Sequence, residues 1–560
     1  MLTQIYPRAM ASISNQNPQL FREIKGRFKP KNIVIVSLAS IIGQILLYLY
    51  FENLLPTNDN RYSNRYCTVT PSDYYSSMGD CQKDLLGNIM TIKELWWLDL
   101  FTTMSILGIF ILLVVGSYML IADISKENSR NTLNFIRLTP QSAMTILGGK
   151  MLGVPILVYL FGVLAIPLHL LAGLKANIPF PLILGFYLVL GVSCLFFYTA
   201  SLFFSLTADG LGGFQAWLGS LAIFFFCLTA MSASLEAYQW SLTSLDWLAL
   251  FYPGMFLAYL IKATFLSPDT IGYLSLEGLN NLNWYGNFLW RNSFTGLILI
   301  VANYGIWSFW LWQGLKRRFH NPHDGAISKY HSYLITACFI VFNLGFTLQE
   351  SNVSSSGFND KLIVFLIINF FYLLLITLAL TPQRQTLLDW SRFRYENSAH
   401  RHLIKDLLLG EKSPAVGAIA LNVLLITLYV SPAIVIFSWG EDKFLLLTGL
   451  ILGGMMMIIY ATVYQLLLLL KTRKRNLIAS SSVTALIFAP LLSVIITGGS
   501  HVPSVWLFSA FPALAVTEVS LSTLLTSFMA QVMIMIGFNY QLKRVLNKAG
   551  ESEMKALLSN

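Results

Sequence analysis

Charged residues are scarce in this chain of 560 residues. Asp, Glu, Lys and Arg make up 11% of the sequence, whereas soluble globular domains carry roughly 25%. Hydrophobic residues make up 55%, and many apolar runs reach the roughly 18 residues that a membrane-spanning helix needs. The shortage of charge excludes a soluble globular fold and predicts an all-α polytopic membrane protein.

Motifs for intrinsic chemistry are also missing. The sequence has no Gly-x-x-x-x-Gly-Lys-Ser/Thr phosphate-binding loop, so we expect that the chain hydrolyses no ATP and is not an enzyme. His320 with His323, and His400 with His402, lack the Cys or carboxylate neighbours that a metal site needs. His169 is the only ionisable side chain well inside a predicted span, whereas ion-coupled carriers use such groups as relays. We expect no catalytic residue, no metal site and no cofactor in this chain.

Cysteine is rare as well, with five residues in the whole sequence. Cys194, Cys227 and Cys338 lie in apolar runs, where we expect inert packing. Cys67 and Cys81 share one polar loop and could form a disulfide if that loop faces an oxidising compartment.

Twelve apolar segments have the length of membrane spans. The first begins near Ile33, behind a basic segment and without a small-x-small cleavage site, so we expect a retained helix and not a signal peptide. Two further apolar pieces, 247–266 with Pro253 and 503–516 with Pro512, are predicted to be re-entrant or interfacial. The predicted spans are 33–51, 99–123, 147–172, 180–206, 212–235, 292–314, 333–349, 362–381, 415–437, 444–470, 477–497 and 519–540.

The basic residues divide unequally between the two sides of these spans. If the N-terminus is inside, 28 of the 37 Lys and Arg residues fall in inside segments. Cytoplasmic loops of membrane proteins collect basic residues, so both termini are predicted to be cytoplasmic, in a plasma (inner) membrane. This sidedness accounts for the net charge of +10, and we expect no nucleic-acid partner.

Loop lengths and short motifs repeat between the two halves of the chain. RNTL at 130–133 corresponds to RQTL at 384–387, and LGGK at 147–150 corresponds to LGEK at 409–412. Both halves start inside, which predicts two parallel six-helix repeats, each with a broken helical piece before its last span. The predicted organisation is an N-terminal amphipathic segment 1–32, a first unit 33–314 (outside loops 52–98 and 236–291, inside loop 124–146), a cytoplasmic linker 315–332, a second unit 333–540 (inside loop 382–414) and a cytoplasmic tail 541–560.

Three stretches resemble the permeases of type-2 ATP-binding-cassette (ABC) exporters. ENSRNTLNFIRLTP at 127–140, followed by LGGKMLG at 147–153, resembles their first cytoplasmic loop. NPQLFREIKGR at 17–27 resembles the interfacial helix before their first span, and FYP at 251–253 resembles the aromatic–proline element before their last span. The chain departs from the pattern at Asn131, where glycine is usual, and the second loop has Thr381 in place of the leading Glu.

The resemblance implies a permease subunit made of two fused six-span units and powered by a separate ABC ATPase, expected in two copies with ATP and Mg in that partner. A helix over about 127–137 would place Glu127 and Arg130 on one face, with Leu133 as an apolar anchor. The same helix could instead rest on lipid headgroups. The expected ATPase-coupling residues are Glu127, Arg130, Thr132, Leu133, Arg137, Arg384, Thr386, Leu387 and Arg392.

The cargo is less clearly encoded. Aromatic residues make up 14% of the chain, and uncharged aromatic walls suit an amphipathic or lipid-like substrate, although interfacial belts and ordinary packing explain the same residues. The long outside loops could bind an extracytoplasmic partner. Candidate outer-gate residues are Phe251, Pro253, Pro512 and Glu518.

Two other functions fit the sequence. The first is a membrane-embedded lipid-linked transferase, for which Asp73, Asp80 and Asp84 in the first outside loop are loose candidates. The second is a non-transporting membrane assembly factor.

Overall fold

The computed structural model is helical, with isolated β-bridges and no extended sheet in the part of the chain that it describes. The prediction of an all-α, multi-pass protein is therefore confirmed. The chain forms two compact units, the first made of 1–240, 248–282 and 288–316, and the second of 241–247, 283–287 and 317–560. The described residues are 15–56, 64–68, 81–208, 212–235, 243–274, 277–322, 324–349, 355–396, 403–438, 442–496 and 503–558.

Helices in the first half of the chain alternate between long apolar ones and short connecting ones. The longest of them contains a π-helical turn, Ile111–Val115, and a 3₁₀ turn, Pro253–Phe256, precedes α10. In chain order they are α1 (Pro18–Arg27), α2 (Pro30–Asn53), α3 (Lys93–Ser129), α4 (Thr132–Arg137), α5 (Ala143–Gly153), α6 (Ile156–Lys175), α7 (Phe180–Thr207), α8 (Phe214–Leu235), α9 (Asp246–Ala249), α10 (Leu257–Lys262), α11 (Pro268–Ile271), α12 (Glu277–Asn281) and α13 (Ser293–His320).

The second half follows a similar alternation. A 3₁₀ turn, Pro512–Leu514, precedes its last helix. The helices are α14 (Lys329–Thr347), α15 (Ser355–Leu380), α16 (Arg384–Glu396), α17 (Leu403–Leu409), α18 (Val416–Phe437), α19 (Asp442–Leu468), α20 (Arg475–Ile496), α21 (Pro503–Trp506) and α22 (Leu521–Leu558).

Eleven helices within the described residues are long and apolar enough to cross a membrane. They coincide with eleven of the predicted spans, and the remaining prediction, 477–497, coincides with the 22-residue helix α20. One predicted span is wrong at its start. The segment 147–172 is divided between α5 and α6, because Pro155 has no N–H with which to continue the hydrogen-bond ladder, and the spanning helix begins only at Ile156.

The predicted helix over 127–137 is also wrong. Helix α3 ends at Ser129 and α4 begins at Thr132, with Asn131 between them at φ 57°. This left-handed conformation is open mainly to glycine and, among other residues, to asparagine. Glu127 and Arg130 therefore do not share the face of one continuous helix.

Candidate functional site

Six charged side chains from three helices meet in the first unit. Helix α1 supplies Arg22, Glu23 and Arg27, the C-terminal end of α3 supplies Asp123 and Glu127, and α5 supplies Lys150. Helix α1 is positioned for this by its start, where Asn17 Oδ1 accepts a hydrogen bond from Leu20 N at 2.9 Å and Pro18 begins the helix. We call these six residues the ion cluster.

Lys150 is the centre of the ion cluster. Its Nζ lies 3.3 Å from Glu23 Oε1, 2.6 Å from Asp123 Oδ2 and 2.8 Å from Glu127 Oε2, and its side chain is 0% exposed. The three carboxylates are close enough together to hold a metal ion, but the lysine ammonium lies among them and supplies the positive charge. The arrangement is a buried lysine with three acidic partners.

Two arginines complete the charge balance at the edge of the cluster. Arg22 contacts Glu127 at 2.5 Å and Glu23 at 3.2 Å, and Arg27 contacts Glu23 at 3.4 Å and also Asp123. Three cations thus face three carboxylates. This pairing offsets the cost of removing the charges from water and fixes α1 to both α3 and α5.

The pairing also sets which groups stay charged. Burial disfavours the negative charge of Glu23, but the positive charges of Lys150, Arg22 and Arg27 outweigh it and hold the pKa of Glu23 below its usual value. Burial likewise disfavours the charge of Lys150, yet its three carboxylate neighbours raise the pKa of Lys150 above its usual value. Both Glu23 and Lys150 are therefore charged at neutral pH.

Two glycines let α1 approach α5 closely. A Cβ placed on Gly149 would lie 2.8 Å from the backbone N of Leu20, and one placed on Gly153 would lie 2.6 Å from Cβ of Glu23. Gly149 and Gly153 are four residues apart, so they share one face of α5. By contrast, a Cβ on Gly148 would meet no atom within 4 Å.

The short helix α4 stands beside the ion cluster and presents an apolar surface. Leu133 and Ile136 are buried against the protein, whereas Phe135 is 73% and Leu138 83% exposed. Met144, at the start of α5, is exposed as well. We call Phe135, Leu138 and Met144 the loop surface.

The predicted coupling residues of the first loop divide into two groups. Glu127 belongs to the ion cluster, whereas Leu133, predicted as an apolar anchor of a helix that docks on the ATPase, is buried inside this chain. Arg130 and Thr132 are exposed, and Thr132 Oγ1 donates to Glu127 O at 3.1 Å. Arg137 donates to Asn134 Oδ1 at 3.1 Å within α4.

The predicted residues of the second loop lie on α16, which packs against α22 in the second unit. Leu387 is fully buried with Leu469, Leu542 and Leu546. Arg384 donates to Leu469 O at 3.0 Å. Thr386 is half-buried, and Arg392 pairs with Asp389 at 3.3 Å. This loop is thus built around an apolar contact, and Lys412, which corresponds to Lys150 in the sequence, is exposed.

The candidate gate residues are held in different surroundings. Phe251 and Pro253 are buried in the first unit, where Phe251 O accepts a hydrogen bond from the hydroxyl of Tyr304 at 2.8 Å. Pro512 is buried in the second unit beside Gly453, whereas Glu518 is exposed. The structure thus assigns Phe251 and Pro253 to one unit and Pro512 and Glu518 to the other.

A second polar centre, which the sequence did not reveal, surrounds Asp99 near the start of α3. Asp99 accepts hydrogen bonds from Arg65 at 2.7 Å, from the hydroxyl of Tyr66 at 3.0 Å and from that of Tyr273 at 2.5 Å. Next to it, Cys67 and Cys81 are joined by a disulfide with Cα atoms 5.5 Å apart.

One of the candidate transferase carboxylates has a structural role. Asp84 Oδ1 accepts from the backbone N–H groups of Leu86 and Asn88 and so shapes a turn. Asp73 and Asp80 lie outside the described residues.

Of the six residues in the ion cluster, only Glu127 was predicted from the sequence as a site residue; Arg22, Glu23, Arg27, Asp123 and Lys150 were not. The available signal was the amphipathic segment 17–27 together with Lys150, whose burial a sequence does not display. Comparison with other proteins adds no constraint, since no protein-family model, no curated protein and no solved structure matches this chain.

Proposed function

We propose that the chain is the transmembrane permease subunit of an ABC exporter, forming the path for an amphipathic or lipid-like substrate and powered by a separate ATPase. The observation that carries this proposal is the loop surface, which α4 and the residues after it form beside the ion cluster. In this proposal both termini are cytoplasmic, the membrane is the plasma (inner) membrane, and ATP with Mg binds to the partner.

The loop surface has the chemistry of a protein-docking site. Two large apolar side chains, Phe135 and Leu138, stand exposed at a helix of six residues. Arg130 adds an exposed positive charge beside them. Aromatic and arginine side chains are typical anchors of protein interfaces. If α4 served only to pack on the rest of the protein, we would expect Phe135 and Leu138 to be buried, as Leu133 and Ile136 are.

The ion cluster gives this surface a mechanical connection to the spans. Glu127 lies four residues before Asn131 and Asp123 lies further back on the spanning helix α3, and both are held by Lys150 of α5. Helix α5 leads through Pro155 into the spanning helix α6. A displacement of α4 would therefore be transmitted to α3 and α6, and to α1 through Arg22 and Arg27. Little of this displacement would be absorbed by side-chain movement, because the ion pairs hold these side chains in place.

The fused-repeat organisation belongs to the same proposal. Among the described residues, each half of the chain has six long helices, a connection containing short helices after the second of them, and a proline-initiated 3₁₀ turn before the last. We propose that these turns, Pro253–Phe256 and Pro512–Leu514, belong to re-entrant elements near the outer surface. Asn131 supports the loop resemblance too, because a left-handed φ at this position explains why glycine is usual there.

Docking is tested by co-purification of the ATPase in a mild detergent. The variant Leu138→Asp and the double variant Arg130→Glu/Arg137→Glu should each lower ATPase recovery at least tenfold, since a buried charge or a reversed charge at an interface costs well over about 1.4 kcal/mol. The matched control is Leu85→Asp, which changes a fully exposed leucine in the predicted outside loop.

Three results would contradict the proposal. The first is purified chain that carries no ATPase subunit under any mild condition. The second is a Leu138→Asp variant that recovers as much ATPase as the wild type. The third is an equal loss in Leu85→Asp, which would place the docking surface elsewhere or make the effect general.

A further inference from the structure

A groove of about 960 Å³ lies within the first unit, between the long helices α2, α3, α6 and α7. Its volume is at the upper end of the range for small-molecule sites, roughly 300–1,000 Å³. All four helices are long and apolar enough to span a membrane. The groove is therefore a space at the depth of the lipid acyl chains.

Glycine residues, which have no side chain beyond a hydrogen atom, create this space. Each of the four helices contributes one glycine to the wall: Gly43, Gly108, Gly162 and Gly191. A Cβ added to Gly43, Gly108 or Gly191 would meet no atom within 4 Å. These glycines are thus not required for close helix contact, in contrast to Gly149 and Gly153, and their effect is to leave the groove open.

A chain of hydrogen bonds lies on one wall. His169 Nε2 lies 2.8 Å from Ser105 Oγ, and His169 Nδ1 lies 2.8 Å from the hydroxyl of Tyr187. Ser105 Oγ donates to Phe101 O at 2.8 Å, so it accepts from Nε2–H, and Nδ1 accepts from Tyr187. A lone pair of the Tyr187 oxygen is then left to accept a hydrogen bond from a ligand.

Helix α2 offers a second acceptor to the groove. Gln44 uses its amide N–H₂ group on Ser40 Oγ at 3.1 Å and on Leu164 O at 3.3 Å. Its amide oxygen accepts no hydrogen bond from the described residues. Both polar positions thus present acceptors, and both line the groove.

The groove also borders the irregular turn of α3. Ile111 and Leu112 line it at the start of the π-helical turn Ile111–Val115, and Leu112 O is satisfied by the hydroxyl of Tyr198 at 2.6 Å. Such turns interrupt the normal helical ladder and are frequent at functional positions. Of the 28 lining residues none is Asp, Glu, Lys or Arg, so a charged group would be left without a counter-ion.

We infer that this groove binds an uncharged amphiphile whose hydroxyl or amide N–H groups donate to Gln44 Oε1 and to the Tyr187 oxygen, and whose acyl chain fills the space beside the glycines. Only the identification of this amphiphile as the transported substrate rests on the proposed export function. Binding itself requires no ATPase.

The test uses a diazirine-bearing monoacylglycerol as a photoreactive probe on the purified full chain. Labelling of the wild type should be saturable and should fall when unlabelled monopalmitoylglycerol is added, but not when an equal amount of the charged palmitate ion is added. The variants Gly108→Phe and Gly191→Phe should lower labelling at least tenfold because their rings occupy the groove. Gly305→Phe is the matched control, since Gly305 on α13 also has no atom within 4 Å of an added Cβ and does not line the groove.

A second variant keeps the test valid if the phenylalanine variants fold poorly. Gln44→Leu adds no bulk and should weaken probe binding about fivefold, the loss of one net hydrogen bond. Equal labelling of wild type, Gly108→Phe and Gly305→Phe would overturn the inference, as would equal competition by palmitate. Failure of the ATPase to co-purify would reject the proposed function while leaving probe binding unchanged, so the two failures are distinguishable.

Discussion

Replacing Lys150 by methionine should destabilise the first unit more than other single changes at a charged position. The substitution keeps an unbranched side chain one atom shorter but removes the cation that contacts Glu23, Asp123 and Glu127. Removing one partner from a buried ion cluster costs about 3–5 kcal/mol, because the remaining charges are left uncompensated. We therefore expect a drop of this size in the free energy of unfolding at neutral pH.

The pH dependence of the variant should have the opposite sign to that of the wild type. In the wild type, the lowered pKa of Glu23 contributes stability that is present above its usual pKa of 4.5 and is lost as the pH falls through the lower folded value. The raised pKa of Lys150 contributes stability that is complete below 10.5 and is lost as the pH rises through the folded value. The wild type should thus keep the cluster from about pH 5 to about pH 10.

In Lys150→Met, Glu23 loses the cation that contributes most to lowering its pKa and still faces two other carboxylates, so acidification relieves the repulsion. Thermal unfolding of detergent-solubilised protein at neutral pH and near pH 5 should show the variant gaining stability on acidification, whereas the wild type should not. Lys126→Met is the matched control, because Lys126 is exposed on the same stretch of chain. A loss of less than about 1 kcal/mol in the free energy of unfolding of Lys150→Met at neutral pH would contradict the central role of Lys150 in the cluster. A pH profile of stability that parallels the wild type would contradict it as well.

Three further experiments test other parts of the structure. Gly153→Leu should displace α1 and speed tryptic cleavage within it, whereas Gly148→Leu should leave the cleavage rate unchanged. Leu387→Ala should cost about 2–5 kcal/mol of unfolding free energy through the cavity it leaves. Ile404→Ala, at a 73% exposed position of the same loop, should cost far less. Equal shifts of the melting temperature in the two variants would contradict the packing of α16 on α22. Alkylation of the denatured chain should label three cysteines before reduction and five after it, and five labelled before reduction would exclude the disulfide.

The positions of the long helices could be predicted because they depend on local composition. Apolar runs identify a membrane span without any knowledge of its neighbours, and each predicted span coincides with a long helix. The boundaries failed where one residue decided the backbone. Pro155 divides the predicted span 147–172, and the left-handed Asn131 divides the predicted helix 127–137.

The ion cluster could be predicted only in part because its members are distant in sequence. Glu23 and Lys150 are separated by 127 residues, and no periodic pattern indicates that they meet. The two corresponding loops also differ in a way that the sequence hides. Lys150 is buried among carboxylates whereas Lys412 is exposed, although the paired residues Leu133 and Leu387 are both buried.

The proposed docking of a partner ATPase at the loop surface can be measured by site-specific photocrosslinking in intact cells. A benzophenone amino acid is placed at Phe135 and, as the control, at Leu85. We expect one adduct at position 135, identified by mass spectrometry as an ATPase subunit, and none at position 85. Adducts at position 135 that contain only lipid, or ATPase adducts at position 85, would contradict it.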